Sequence, residues 1–598
     1  MFTVRLSFAA ILLATSAVAT HAADPGPDAR LKALFADTDE ADLKRNPLNA
    51  LYRGDLRYAD QIGDPYSDAH FAAEKAADQD ALRRLAAIPR AALTPTDRIA
   101  YDVFKRTTEI DLEGYRPDLL AITRVLPINH FYGLQQDFAD LSSGQGGAPF
   151  VTPKDYRDAL KRDDQYAKLI GEIIVRFRQG MAQGIVHPKL VVRNMIDQLD
   201  TQAQGGVEGS PYYGPVKHFP DTVPEADRAA LRAAYVAKIR DVILPANQRL
   251  RDFLAKTYLP KARDGVGLSS LKGGAAYYRY MIEQNTTLPL TAAEVHQLGL
   301  NEVARITAEM EGVKAKTGFK GDLPAFFRFM TSDPQFAPPS RDWLEKRYHE
   351  IGARIDRRIP EQFSLLPKTA LLIRPVPAYK EKTDAGGEYM QGTPDGSRPG
   401  TFYYNGYDLP SRFTWDMETL YLHEAVPGHH FQISLAQENK DLPAFMRFGG
   451  NTAFVEGWAL YAETLWPELG METDPYERFG GLNDEMLRAM RLVVDSGIHS
   501  LGWSRDQAIA YMTSHSAMGK ADVTAEVERY IAIPGQALAY KVGALTILKE
   551  KAKAKAALGA TFDPRAFHAQ VLNTGALPMT VLETKLDAWI AAQKDKTN

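Results

Sequence analysis

Residues 414–432 read TWDMETLYLHEAVPGHHFQ, an apolar helical pattern that carries His423, Glu424, His429 and His430. Imidazole nitrogens bind zinc, and a glutamate directly after the first histidine accepts a proton from metal-bound water. The stretch therefore predicts a helical metal site with hydrolytic chemistry and Glu424 as its general base. In the common pattern, H-E-x-x-H, the two histidines lie four residues apart. The spacing here is longer.

This longer spacing excludes a straight helix through the site. On a regular helix His429 is rotated by about 600° from His423, and His430 returns to the same face about 10.5 Å further along the axis. Two nitrogens on one zinc ion must lie only a few ångströms apart. Pro427 cannot donate a backbone hydrogen bond, and Gly428 accepts unusual backbone angles. We therefore predict a break or bulge that brings His429 or His430 back to the metal.

A third ligand is predicted downstream, in AFVEGWALYAETLW (residues 453–466). Glu456 follows an apolar pair and lies 27 residues after His429, an interval that suits a loop followed by an antiparallel helix. A buried carboxylate without a partner is costly, and metal binding removes that cost. Glu463, two turns further, is predicted to orient a ligand histidine. The alternative is a buried hydrogen-bonded cluster without metal.

Three motifs, HEAVPGHH, FVEGWALYAE and RYIAIPGQALAYKVG, resemble the bacterial family known as domain of unknown function 885. The site is similar to that of the gluzincins, zinc metallopeptidases with a glutamate as third ligand. These enzymes often carry glycine just before the second histidine. Because Gly428 precedes His429, the resemblance implies His423, His429 and Glu456 as ligands of one zinc ion per chain. His430 then remains a rival ligand or a substrate-facing group.

The same resemblance implies supporting residues in the C-terminal part. In the gluzincins a tyrosine or histidine donates a hydrogen bond to the tetrahedral intermediate. Tyr540 is the first candidate for this role, followed by Tyr530 and His499. Arg491 and Lys541 are candidates for binding a substrate carboxylate. Each of these residues, taken singly, also has a purely structural interpretation.

Strand-like patterns are few. ALLIRPV (residues 370–376) and TFYYN (residues 401–405) flank a glycine-rich and charged loop at 380–400. They predict a small β-sheet just before the metal-binding helix. In zincin folds an edge strand there lies along the active-site cleft and pairs with an extended peptide. Tyr404 is therefore a candidate substrate-binding residue. The alternative is a structural hairpin.

The first residues have the features of an export signal. Arg5 precedes an apolar run at 6–18, and Thr20-His21-Ala22 forms a small-x-small cleavage pattern. We predict a signal peptide at 1–22 and a periplasmic or secreted mature protein, the alternative being an N-terminal membrane helix. The sequence contains 0 cysteines. This excludes disulfides, thiolate ligands, a cysteine nucleophile and a lipid anchor on cysteine.

Composition limits the partners. The net charge of −4 is spread along the chain without a basic stripe, so nucleic acid and anionic membrane surfaces are poor candidates. A hydrophobic content of 45% with 24% charged residues is ordinary for a globular protein. The expected partner is a peptide or small-molecule substrate, with no membrane contact after signal cleavage.

Helical apolar spacing extends over most of the mature sequence. It predicts helices at 40–58, 153–183 and 224–258, and Thr291 with Glu294 forms a capping-box pattern. Pro47 and Gly54 interrupt the first of these. We predict a mainly α, large helical zincin-like fold with a deep cleft and a small β-sheet next to the metal-binding helix.

Two regions are predicted after the signal peptide. Residues 23–272 form an N-terminal helical region, and residues 273–598 form a zincin-like catalytic region that can be continuous with it. The resemblance is strongest in the second. Together these features favour an exported zinc-dependent hydrolase, foremost a metallopeptidase that cleaves oligopeptides. The alternatives are an amide or ester hydrolase of small non-peptide substrates, or an inert binding protein, against which the intact Glu424 argues.

Overall fold

The computed structural model describes residues 26–376, 381, 385–396 and 398–597. The predicted signal peptide at 1–22 lies outside the described residues, as does part of the predicted loop at 380–400. The mainly α prediction is confirmed, because the described chain is mostly helical with one small sheet.

Helices lie on both sides of residue 273, where the second predicted region begins. Those of the N-terminal region are α1 Pro27–Arg45, α2 Pro47–Tyr52, α3 Asp68–Ala86, α4 Pro95–Gly114, α5 Pro117–Thr123, α6 Leu134–Ser142, α7 Pro153–Gln183, α8 Lys189–Ala203, α9 Gly206–Gly209, α10 Gly214–Lys217, α11 Glu225–Lys238 and α12 Leu244–Phe253. Those that follow are α13 Gly274–Thr286, α14 Ala292–Thr317, α15 Leu323–Ser332, α16 Arg341–Asp356, α17 Ile359–Gln362, α18 Met417–Glu424, α19 His429–Glu438, α20 Ala444–Arg447, α21 Thr452–Glu463, α22 Trp466–Leu469, α23 Pro475–His499, α24 Arg505–His515, α25 Lys520–Ala532, α26 Ala539–Leu558, α27 Pro564–Leu572 and α28 Met579–Thr597.

Local chemistry explains several helix ends. The predicted helix at 153–183 is α7, and the predicted capping box at the start of α14 forms, with Thr291 accepting from the N–H of Glu294. The prediction of one continuous helix at 40–58 is wrong, although most of these residues are helical. The helix breaks at Asn46, because Pro47 lacks an N–H and disfavours the helical conformation of the residue before it. The predicted helix at 224–258 exists as α11 and α12 joined by a π-helical turn.

The sheet lies beside the predicted metal-binding helix. Its strands are β1 Leu371–Pro375, β2 Gly387–Met390 and β3 Gly400–Tyr404, in the order β1-β3-β2. β1 pairs with β3 in parallel, and β2 pairs with β3 antiparallel. The two predicted strands are therefore confirmed, and β2 lies within the predicted loop. β2 is an edge strand next to α18, where a Cβ added at Gly387 would contact Leu420 tightly.

The two regions share buried apolar surface. One cluster joins Tyr166 and Phe177 of α7 with Met486 of α23 and Val527 of α25. Removing this apolar area from water stabilises the packing of one region on the other. Within the part of the chain that the structure describes, no single helix is both long and apolar enough to cross a membrane. One bent pair, Lys520–Ala532 with Gln536–Thr561, meets the criterion by length and composition alone.

A glycine contact sets the distance between two helices of the site. α21 and α26 cross where Gly457 faces Gly543, and a Cβ at Gly543 would collide with the carbonyl group of Ala453. The absence of side chains lets the two backbones approach closely, which brings Glu456 of α21 near Tyr540 of α26.

Gly543→Ala is expected to lower the free energy of unfolding by about 1–3 kcal/mol, because the new methyl group would collide with the backbone of the neighbouring helix. The midpoint of chemical denaturation measures this loss. Gly171→Ala is the matched control, since a Cβ at this helical position meets nothing within 4 Å. It should stabilise the protein by about 0.4–1 kcal/mol. Equal effects of the two substitutions would contradict the close crossing.

Candidate metal centre

The predicted metal-binding helix is interrupted where the sequence predicts a break. α18 ends at Glu424 and α19 begins at His429, with non-helical backbone angles at Ala425 and Gly428. The Val426–Pro427 peptide bond is cis. The predicted break is therefore confirmed, and it turns the chain so that the imidazole of His429 faces that of His423, with ring centroids 4.8 Å apart.

Two contacts hold the connecting residues. Gly428 passes so close to the carbonyl groups of Leu422 and His423 that a Cβ at this position would collide with both. The indole N–H of Trp458, on α21, donates a hydrogen bond of 2.8 Å to the carbonyl oxygen of Pro427. The turn is therefore fixed by its own glycine and by the helix that carries the third predicted ligand.

Three predicted ligands come together at this break. The candidate donor atoms of His423, His429 and Glu456 all lie within 4.8 Å of one another. Oε2 of Glu456 lies 3.5 Å from Nε2 of His429 and 3.9 Å from Nε2 of His423. Two imidazole nitrogens and one carboxylate oxygen in a largely buried setting are the donor set of a three-ligand zinc site. The residues present therefore fit zinc.

The charges of the cluster suit a cation. Burial lowers the pKa of His423 well below its usual value, which keeps this imidazole neutral and able to bind metal. Burial alone would raise the pKa of Glu456, but hydrogen bonds from His429 and Tyr540 and the nearby imidazoles lower it to about 2. Glu456 thus carries a negative charge at neutral pH.

Glu463 orients the first histidine. Its Oε1 lies 2.7 Å from Nδ1 of His423, and both residues are buried. Because a carboxylate accepts, Nδ1 of His423 carries the proton and Nε2 turns its lone pair toward the cluster. This contact is the one predicted for Glu463 from the sequence.

Glu424 stands next to the cluster without belonging to it. It follows His423 directly, so its side chain projects about 100° away from that of the histidine. It is half-buried, and burial raises its pKa to about 7. A carboxyl group with this pKa can both accept and return a proton near neutral pH.

Tyr540 lies at the cluster with two arginines. Nη2 of Arg529 donates to its hydroxyl oxygen at 3.1 Å, and the guanidinium of Arg491 lies over its ring, 4.3 Å from the centroid. Its hydroxyl also helps to lower the pKa of Glu456. Arg491 itself is buried and paired with Glu526 at 2.9 Å.

The structure gives His499 and Tyr530 other partners. The N–H of Leu268 donates to Nδ1 of His499 at 3.1 Å, so Nε2 carries the proton and donates to the carbonyl of Tyr530 at 2.9 Å. Both nitrogens of this buried imidazole are therefore occupied by backbone. The hydroxyl of Tyr530 donates to Glu526 at 2.6 Å. Neither side chain is free to act on a substrate in this arrangement.

Lys541 and Tyr404 also lie elsewhere. Nζ of Lys541 is buried between Glu302 at 2.9 Å and Glu485 at 2.6 Å. Tyr404 belongs to the middle strand of the sheet rather than to an edge, and its hydroxyl donates to Glu345 at 3.0 Å.

His430 turns away from the donor cluster. Its Nδ1 lies 3.0 Å from the hydroxyl of Tyr389 on β2, and the ring is buried. Burial lowers its pKa to about 4, so the imidazole is neutral at physiological pH. The cluster of candidate metal donors contains His429 but not His430.

A cavity of about 570 Å³ borders Glu456 and is lined by residues that the sequence did not mark as functional. Its wall includes Asn129 and Tyr132 from the N-terminal region and Asn451 and Gln536 from the C-terminal region. Single polar residues in loops carry no sequence signal for function. Asn451, which caps α21, has a recognisable local pattern, and Gln536 lies within the motif RYIAIPGQALAYKVG.

Fold and site together define a class, the mainly helical proteins with a candidate metal centre of two histidines and one glutamate. Residues 47–586 match the family described as bacterial protein of unknown function (DUF885), and the chain belongs to that family. Among curated proteins, none matches this chain.

Two solved structures are similar to this one. A "putative lipoprotein" from Colwellia psychrerythraea is 29% identical, with a TM-score of 0.88 over 95% of this chain and 100% of that one. A "putative lipoprotein of unknown function" from Shewanella oneidensis is 18% identical, with a TM-score of 0.69 over 93% of this chain and 99% of that one. The second likeness concerns the fold alone.

Proposed function

We propose that this protein is an exported zinc-dependent hydrolase, foremost a metallopeptidase that cleaves oligopeptides. The observation that carries the proposal is the convergence of His423, His429 and Glu456 donors within 4.8 Å, beside a carboxyl group that is not among them. A purely structural metal site has no need of such a carboxyl group, which Glu424 supplies. The chemistry that a bound zinc ion supplies there is Lewis acidity toward a water molecule and a carbonyl oxygen.

The chain's own residues account for the proton transfers. Glu424 accepts a proton from the attacking water and returns it to the leaving nitrogen, and its pKa of about 7 suits both steps. Tyr540 supports the developing oxyanion. Because Arg529 donates to the phenol oxygen, the phenol proton remains available for donation to substrate in place of Glu456.

The export part of the proposal has separate support. The N-terminal charge and apolar run have the pattern of a signal peptide. The similar solved protein from Colwellia psychrerythraea is described as a "putative lipoprotein", and lipoproteins are a class of exported protein. We propose a periplasmic or secreted location.

The purified mature protein should contain about one zinc ion per chain, as a single three-ligand site implies. Elemental analysis after dialysis measures the ratio, and a peptide-library screen with zinc-loaded and chelated protein measures zinc-dependent cleavage. His429→Ala should lose the metal. His430→Ala should retain it, because the ring of His430 is hydrogen-bonded to Tyr389 and not directed at the metal site. Failure of the wild-type protein to bind zinc would refute the proposal. Zinc binding with cleavage of small amides or esters only would replace peptides by those substrates.

A further inference from the structure

The described lining of the cavity beside Glu456 is polar but nearly free of charged side chains. Its volume is about 570 Å³, and among the described residues that line it Glu456 is the only one with a charged side chain. Five side-chain amides and two tyrosines supply most of the polar wall. Tyr132 is 56% exposed, so its ring offers a flat apolar surface to a bound molecule. A cavity of this composition suits an uncharged ligand rich in hydrogen-bonding groups.

Two of these amides are held by their oxygen atoms. Oδ1 of Asn129 accepts from the backbone N–H groups of Phe131 at 2.7 Å and Tyr132 at 2.8 Å. Oδ1 of Asn451 accepts from the N–H of Phe454 at 3.0 Å and so caps α21. Rotating either amide by 180° would place its NH₂ group against backbone donors. The oxygen positions are therefore fixed by the hydrogen-bond network.

Gln536 has the same arrangement. Its Oε1 accepts from Nη2 of Arg529 at 2.8 Å, which leaves Nε2 as the other end of the amide. Within the described chain, no residue accepts a hydrogen bond from Nε2 of Gln536 or from Nδ2 of Asn129 or Asn451. Three half-buried NH₂ groups, each with a fixed orientation, thus remain available as donors at one cavity.

Resting on the proposed function, we propose that this cavity binds an extended, uncharged stretch of peptide backbone through its carbonyl oxygens. Each of the three NH₂ groups donates to one carbonyl, and the ring of Tyr132 packs against the peptide. Lysine and arginine do not line the described wall, so a carboxylate would have no counter-charge and would face Glu456. Neutral carbonyl groups satisfy the donors without that cost.

The donors come from distant parts of the chain. Asn129 belongs to the turn before α6, Asn451 caps α21, and Gln536 lies just before α26. Because Glu456 of α21 lies in the same wall, a peptide bound here continues to the candidate metal centre. The N-terminal region therefore takes part in substrate binding rather than only covering the catalytic region.

Replacing each amide by its acid tests the proposal with little structural change. Asn129→Asp, Asn451→Asp and Gln536→Glu keep the oxygen that accepts the internal hydrogen bond and remove the NH₂ donor, and aspartate caps helices as well as asparagine does. The probe is an N-dansyl, C-amidated hexapeptide of alanine and glycine. Its Kd is measured by fluorescence on the Glu424→Gln background, where cleavage is expected to be slowed by about 10²- to 10⁴-fold.

Each single substitution should raise Kd by about 3- to 10-fold, the value of one neutral hydrogen bond, and the triple substitution by about 30-fold or more. Gln507→Glu is the matched control. Its oxygen accepts from the N–H of Ser504 at 2.8 Å, and it lies outside the cavity wall. The control should leave Kd unchanged. Thermal melting confirms that every variant remains folded.

Asn451→Gly separates donor loss from added charge, because glycine is neutral, has no side-chain donor and is tolerated at a helix N-cap. It should weaken binding like Asn451→Asp. Wild-type affinity of the glycine variant, or unchanged Kd in all three acid variants, would overturn the proposal. So would the absence of binding by the parent protein, even if zinc-dependent hydrolysis of another amide upheld the proposed function. Peptide binding without any zinc-dependent hydrolysis would refute the function and leave the cavity assignment standing.

Discussion

Glu424→Gln is expected to lower peptide hydrolysis by about 10²- to 10⁴-fold while the protein keeps its zinc and its fold. Glutamine has nearly the shape of glutamate but cannot accept a proton. Glu424 does not belong to the donor cluster of His423, His429 and Glu456. Burial raises its pKa to about 7, which suits a base that also returns its proton. The loss should therefore appear in kcat and not in metal content.

The measurement combines steady-state kinetics on the best peptide from the library screen with zinc analysis of the same sample. Glu311→Gln is a suitable control, because Glu311 is an exposed residue of α14 that pairs with Lys314. Its kinetics should equal those of the wild-type protein. Near-normal turnover in zinc-loaded Glu424→Gln would exclude Glu424 as the base and leave the arrangement beside His423 without a catalytic explanation.

Glu456→Ala is expected to abolish zinc retention and with it all hydrolysis, because only His423 and His429 would remain as ligands. Glu463→Gln removes the carboxylate that holds Nδ1 of His423 and should weaken zinc affinity by about 10- to 100-fold without abolishing it. The glutamine can still accept from Nδ1 but does so without charge. The two glutamates thus separate metal binding from the orientation of a ligand.

Competition with a chelator of known affinity gives the zinc Kd of each variant, and thermal melting of the metal-free proteins confirms folding. Equal losses in the two variants, or a larger loss for Glu463→Gln than for Glu456→Ala, would mean that the wrong carboxylate has been assigned as ligand. The 3.5 Å distance between Glu456 and His429 makes the assigned order the expected one.

The sequence predicted the parts of the site that depend on local backbone geometry. Helix periodicity showed that His423 cannot share a metal with His429 across a straight helix, and Pro427 with Gly428 indicated where the break lies. The structure has that break between α18 and α19. The contact of Glu463 with His423 was also anticipated, because two turns of α21 separate it from Glu456.

The sequence did not predict which of two adjacent side chains, Tyr540 or Lys541, faces the site. Tyr540 and Lys541 are adjacent on α26, so their side chains diverge by about 100°. The tyrosine therefore reaches Glu456, while the lysine points to Glu302 and Glu485. Which of the two faces the site depends on how α26 is rotated against α21, and the contact of Gly457 with Gly543 sets that rotation.

By itself, the sequence determined the helical class and the break in the predicted metal-binding helix, because each depends on residues within a few helical turns. The choice of His423, His429 and Glu456 as candidate ligands also rested on the resemblance to a family of metallopeptidases. Only the tertiary structure decided that His499 and Tyr530 are occupied by partners of their own, and that Tyr404 lies on a middle strand. It also placed Asn129, more than 300 residues from Glu456 in the chain, at the same cavity. Such contacts arise from the packing of whole helices, which local periodicity does not specify.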